Sequence, residues 1–374
     1  MKQNATFFGV LALLWSVAAF AQGAGNPPAQ GAVTPPYVPP AWDTYTPNIP
    51  GVVAAGTTVE LITDQLNGTE GPVALPDGTL LFTEGGARRL SRFDKDGKRS
   101  TYLENLQSGG LGFDPKGRLI ANDNTPGKQG IYIVSPKGAE KTLVDRKTTG
   151  FDQSNDIVVD KKGGVYFTQP EQANVGYIFP DAKGMKIVAE RITRPNGITM
   201  SPDEKILYVN DSRGEYLLAY DVQPDGAVTN RRNFTRYHQV NTSAGGGDVG
   251  PGLRYKFTSC ADGMAVDKDG RVYVAGCDGI QVYSPQGKHL GTIPTARQIQ
   301  NLAFAGPDKK TLYLVGRGAA WKIQTLTQAL FPIVSPLLPR RFHEITVEDL
   351  GRAMQLNADP SGRPGVELLH YPFQ

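Results

Sequence analysis

Only two cysteines (Cys260, Cys277) and four histidines (His238, His289, His343, His370) occur in 374 residues. A thiolate or imidazole zinc centre needs more such ligands at motif spacing, so that chemistry is disfavoured. An excess of one charge is missing as well. Lys and Arg number 39 against 36 Asp and Glu, a net +3 with no long basic run, which speaks against nucleic acid as a partner. No G-x-S-x-G elbow is present for a serine nucleophile. Apolar runs are short: the longest, Phe7 to Phe20, falls below the ~20 residues that span a bilayer.

Glycine and proline are abundant instead, 44 and 28, or 72 of 374 residues, about 19% where about 12% is usual. A chain so rich in turns favours many short strands. The N-terminus reads as an export signal, with Lys2, the apolar run and a small-x-small site at Ala19-Phe20-Ala21. Cleavage is expected before Gln22, which makes residues 1–21 a signal peptide and the mature protein secreted or periplasmic. Residues 22–50, with Pro35-Pro36 and Pro39-Pro40, read as an extended tether without a core.

Six segments then repeat one pattern of strand, four-residue turn and strand. The turns start at Leu75, Asp114, Asp160, Ser201, Asp267 and Gly306, separated by 39, 46, 41, 66 and 39 residues. Asp, Pro and Gly preset such turns. The strands that follow are β-branched and aromatic, for example Val165-Tyr166-Phe167 and Val272-Tyr273-Val274. This is blade spacing, and it predicts an all-β six-bladed propeller over 51–326. The sixth repeat lacks an outer strand, which Thr58–Thr63 can supply, closing the ring and removing its edges. Tyr166, Tyr208, Tyr273 and Tyr313 share one register and read as blade packing. The long interval predicts an insertion at 230–259 overhanging one mouth. The tail, 327–374, leaves the repeat and holds a helix candidate at Thr346–Leu356.

Five positions before each turn stand Glu70, Gly109, Asn155, Asn196, Asp262 and Asn301. Taken singly, Asn, Asp and Gly there are ordinary turn residues. Their shared register, together with a Glu that turn chemistry does not explain, predicts a ring of oxygens at one mouth of the channel. Two carboxylates with neutral amide oxygens suit a hard divalent cation, Ca²⁺ first and Zn²⁺, Mn²⁺ or Mg²⁺ next. Glu84, Asp123, Gln169 and Asp211 end second strands near the same mouth and are candidates around the site. Cys260 and Cys277 flank the fifth hairpin nearly opposite one another; a disulfide and two buried thiols both remain open.

Thr69-Glu70-Gly71-Pro72, Ser154-Asn155-Asp156-Ile157, Pro195-Asn196-Gly197-Ile198 and Asp262-Gly263-Met264-Ala265 occur in order. In this the chain resembles the regucalcin/gluconolactonase family of six-bladed propellers. The resemblance implies metal ligation by Glu70, Asn196 and Asp262, with Asn155 touching metal or substrate and Asp262 as catalytic base. It implies a lactone substrate, opened by a metal-dependent hydrolase and touched by Asn155; Asn301, Gln169 and Asp123 are expected as further substrate contacts from their place at the mouth. Gln153 stands where some members carry Arg, and Gln169 where bacterial members often carry Asp. The alternatives are phosphotriester hydrolysis at the same site, or a secreted binding propeller with structural metal. A monomer without a membrane span is expected.

Overall fold

The computed structural model describes residues 40–248 and 254–329, and for 242–257 the backbone alone. The expected signal peptide at 1–21, the helix candidate at 346–356, His343 and His370 all lie outside the described residues. Among the described residues no helix is long and apolar enough to cross a membrane.

Six sheets follow one another around a central channel. Blades one to five run their strands outward in chain order, as in Pro195–Met200, Ile206–Asp211, Tyr216–Val222 and Val228–Arg236 of blade four. The turns between first and second strands show why the repeat exists. In blades two, three and five the leading carboxylate accepts two backbone N–H groups, Asp114 from Lys116 and Arg118, Asp160 from Lys162 and Gly164, Asp267 from Asp269 and Arg271. Their closing glycines adopt φ of 72° to 85°, a region that other residues enter only with strain.

Between neighbouring blades lie six apolar clusters, one at each junction. Tyr166, Tyr208 and Tyr273 are buried in them as expected, while Tyr313 is half-buried. Blade six is built from both ends of the chain: Thr58–Thr63 pairs antiparallel with Ala319–Gln324, Glu60 facing Lys322 and Leu61 facing Trp321. The expected closure is therefore observed.

Two expected boundaries shift. The tether does not extend to residue 50. Thr44–Tyr45 adds a further strand to the closing sheet, and Ile49, Val52 and Val53 are buried between blades five and six. These apolar anchors are scattered among prolines, which hid them from a compositional reading. Likewise, residues 230–236 belong to the outer strand of blade four, where Tyr216 pairs with Arg236. That strand is polar because it faces water. The insertion is a hairpin, Asn241–Asp248 with Arg254–Thr258.

Candidate functional site

First strands run away from one mouth and second strands return to it, as the pairs Thr69 with Glu84, Pro195 with Asp211 and Asn301 with Val315 require. That mouth therefore carries every second-to-third connection, every fourth-to-first connection and the hairpin at 241–258. Beneath it the first strands enclose a cavity of about 250 Å³, to which Gly71, Leu111, Asp156, Ile198, Met264 and Asn301 each contribute from a different blade. Asn301 is itself a ring residue, and in the other five blades the ring residue stands one or two positions upstream of these.

The ring forms because backbones approach closely. A Cβ on Gly197 would lie 2.1 Å from the Asp262 carbonyl, and one on Gly263 2.0 Å from Asn301 Oδ1. Blade two has Gly109 in the ring, where a Cβ would meet the Asn155 carbonyl at 2.6 Å. Ties from second strands hold the ring's main chain. Asn122 Nδ2 donates to the Asn155 carbonyl at 3.1 Å, Thr168 Oγ1 to that of Asn196 at 2.7 Å, and Asn210 Nδ2 to that of Asp262 at 2.5 Å.

Three carboxyl groups converge at the channel. Burial, then the charges of Asp262 and Asp156, push Glu70 well above the usual carboxylate range. Burial raises Asp156 to about 7 against the lowering pull of hydrogen bonds from Ile157, Asn301 and Ile198. Asp262 is pushed up to about 8, first by burial and then by Asp156, with Arg317, Arg194 and an Asn196 hydrogen bond opposing. The charge of Asp262 thus acts on Glu70, and an Asn196 hydrogen bond reaches Asp262. Asn196 Oδ1 is left buried without a hydrogen-bond partner.

A cation fits this donor set. It would neutralise carboxylates that otherwise retain protons, and it would satisfy the orphaned amide oxygen. Among the described residues no three acid, imidazole or thiol side chains form a cage by themselves. The amide oxygens of Asn155 and Asn196 would therefore have to share the coordination.

Other expected roles change. Asn301 is only 6% exposed. Its Oδ1 accepts from Leu302 N at 2.8 Å and its Nδ2 reaches Asp156 at 3.4 Å, so both ends of its amide are engaged inside the channel that it lines. Asp123 is a loop clasp, accepting from Gln107 N and Thr125 N. Asp211 does the same for Thr193 N and Arg194 N. Glu84 is fully buried and takes bonds from Asn67 N, Arg89 and Ser91. All three hold connections at the mouth because backbone N–H groups there have no strand partner. Gln169 closes its strand buried, and Gln153 is exposed at the mouth.

Asp156 was not anticipated. A signal existed: the residue after the ring position is glycine at 71, 110, 197 and 263, but aspartate at 156. Cys260 and Cys277 form a disulfide that ties the return leg of the hairpin to blade five. His238 Nδ1 lies 3.0 Å from Asp278 and its ring stacks on His289 at 4.2 Å, apart from the ring residues.

A closed six-bladed wheel with an acid and amide ring at one mouth defines a class of propellers with a polar channel site. Residues 68–316 match the SMP-30/Gluconolactonase/LRE-like region, and the chain belongs to that family. A gluconolactonase of Zymomonas mobilis is 26% identical over 322 residues, covering 76% of this chain and 85% of that protein. A lactonohydrolase of Aspergillus oryzae and a lactonase of Staphylococcus haemolyticus are matched over 50% and 54% of their own length. Among solved structures, a gluconolactonase of Xanthomonas campestris superposes with a TM-score of 0.61 at 24% identity, over 77% of this chain and 99% of that one. A calcium-binding regucalcin of Agrobacterium tumefaciens superposes with 0.59 at 15%, over 75% and 97%.

Proposed function

We propose that the protein is a cation-dependent lactonase that opens a sugar lactone, with Glu70, Asn196, Asp262 and Asn155 as cation ligands. The observation that carries this reading is the convergence of Glu70 and Asp262 beside the unpartnered Asn196 Oδ1. The curated relatives, lactonases by name, support the reaction class. Calcium is the first choice, because the donors are hard oxygens of mixed charge.

A bound divalent cation supplies Lewis-acid polarisation of a carbonyl oxygen. The residues do the rest. Asp262, kept deprotonated by the charge of the bound cation, takes a proton from the attacking water at its carboxylate. Water oxygen bonds to the lactone carbonyl carbon, the ring C–O bond breaks, and Asp262 returns its proton to the leaving alkoxide, giving the hydroxy acid. Asn155 and Gln169, at the same mouth, orient the sugar. The disulfide suits an oxidising compartment, which supports export of the chain, acting as a monomer.

The test is a panel of aldonolactones presented to chelated and calcium-reloaded protein. Turnover restored by the ion is expected. Cation binding with no turnover on any lactone or organophosphate would leave a binding propeller instead.

A further inference from the structure

The ties that hold the ring are unevenly distributed. Blades two, three and four use Asn122, Thr168 and Asn210, each one residue before the end of its second strand, to grip the next blade's ring carbonyl. The paired second-strand positions in blades five and six are Ala275 and Val315. Neither has a side-chain donor, so the junctions on either side of blade six lack this tie.

Gln300 lies at both junctions. Its carbonyl accepts from Gly263 N at 2.7 Å, directly after Asp262 in blade five. Its Nε2 donates to Glu70 Oε1 at 3.2 Å, in blade one. Its Oε1 accepts from Arg317 N at 2.8 Å. That last bond sets the orientation of the amide. A backbone N–H can only donate, so it claims the amide oxygen, and the NH₂ is left for a carboxylate that can only accept. The corresponding residues before the ring in other blades are Thr69, Ser108, Ser154, Pro195 and Ala261, none with a comparable reach.

We propose that Gln300 is a positioning residue for the cation ring, its amide holding the Glu70 carboxylate in one orientation where Ala275 and Val315 provide no tie. This rests on the cation-binding reading above. An oriented ligand binds more tightly than one free to turn, and partners of this kind are worth about 10–100-fold in metal affinity.

The experiment is calorimetric titration of the chelated full chain with calcium chloride, alongside metal-free thermal melts. Gln300→Leu removes the donor, and Gln298→Leu alters the same connection, where Gln298 Oε1 accepts from Arg317 Nη2 at 2.9 Å. Expected is a loss of about tenfold in calcium affinity for Gln300→Leu and less than about twofold for Gln298→Leu. Should Gln300→Leu not fold, Gln300→Met carries the same comparison. Unchanged affinity in the Gln300 variant, or equal loss in both, overturns the assignment and leaves the loop merely structural. A wild-type chain that binds no divalent cation overturns the underlying reading and this proposal with it.

Discussion

At Asp262 opposing influences meet: burial and the Asp156 charge favour the protonated form, while Arg317, Asn196 and Arg194 favour the carboxylate. Asp262→Asn keeps the shape and removes the base. Lactone hydrolysis should fall by at least about 10²-fold with the circular-dichroism melt intact; a full residual rate would remove Asp262 from the chemistry. The same groups set a pH dependence. In the metal-free chain Asp156 near 7 and Asp262 near 8 stand above an unfolded value of about 3.9. The folded state thus keeps protons that the unfolded chain has released. The resulting stability is complete below about pH 4, falls progressively as pH rises, and is fully lost above about 7 for Asp156 and about 8 for Asp262. Melting temperature in chelator should therefore fall from about pH 5 to 8 and level off above, and Asp156→Asn should reduce the slope below about 7. A cation competes with those protons, so calcium should raise the melt more at pH 9 than at pH 6. Equal shifts would place the ion elsewhere. Glu70, Asn196 and Asp262 were legible in the sequence because a shared register survives any loop length. Asp156 and Gln300 were not, because their meaning lies in contacts between blades.

At the scale of the element, side chains that look catalytic turn out to hold the frame. Asn122, 0% exposed, accepts from Ser108 Oγ, Gly109 N and Gly110 N and donates to the Ser154 and Asn155 carbonyls. Asn122→Ala strands several buried groups at about 1–3 kcal/mol each; a loss of about 3 kcal/mol or more in denaturant unfolding is expected. Smaller loss would mean that water replaces the amide. Sequence alone cannot separate such a residue from a ligand, since both are polar and both end strands. The hairpin at 241–258 raises a related point. Its return leg is anchored through Cys260 to Cys277, 17 residues apart, a loop length for which cross-linking contributes about 3 kcal/mol. Cys260→Ser with Cys277→Ser should lower the melting temperature by several degrees, and added reductant should then have no further effect. The turns of the blades were readable because Asp and Gly act within four residues. Outer strands such as Val228–Arg236 were not, because exposure erases alternation.

On the scale of the whole molecule, the six-fold count followed from turn spacing, since every blade must bury two faces against neighbours. Closure is the step on which the rest depends. The ion pair across it, Lys322 with Glu60 at 3.2 Å, is substantially exposed and contributes little. Apolar burial carries it: Val59, Ile49, Val52 and Val53 are at most 1% exposed, worth roughly 1.5–3 kcal/mol each as an upper estimate. Their removal would also bare the edge of Ala319–Gln324 and the fully buried Trp321, an open template for aggregation. A chain beginning after residue 63 should therefore fail to melt cooperatively, and a peptide of residues 40–63 added in trans should restore part of the transition. Because blade six carries Gln300 and Asn301, calcium affinity should be lost and regained together with the melt. A truncated chain that melts like the full protein would show that blade six stands without its N-terminal strand.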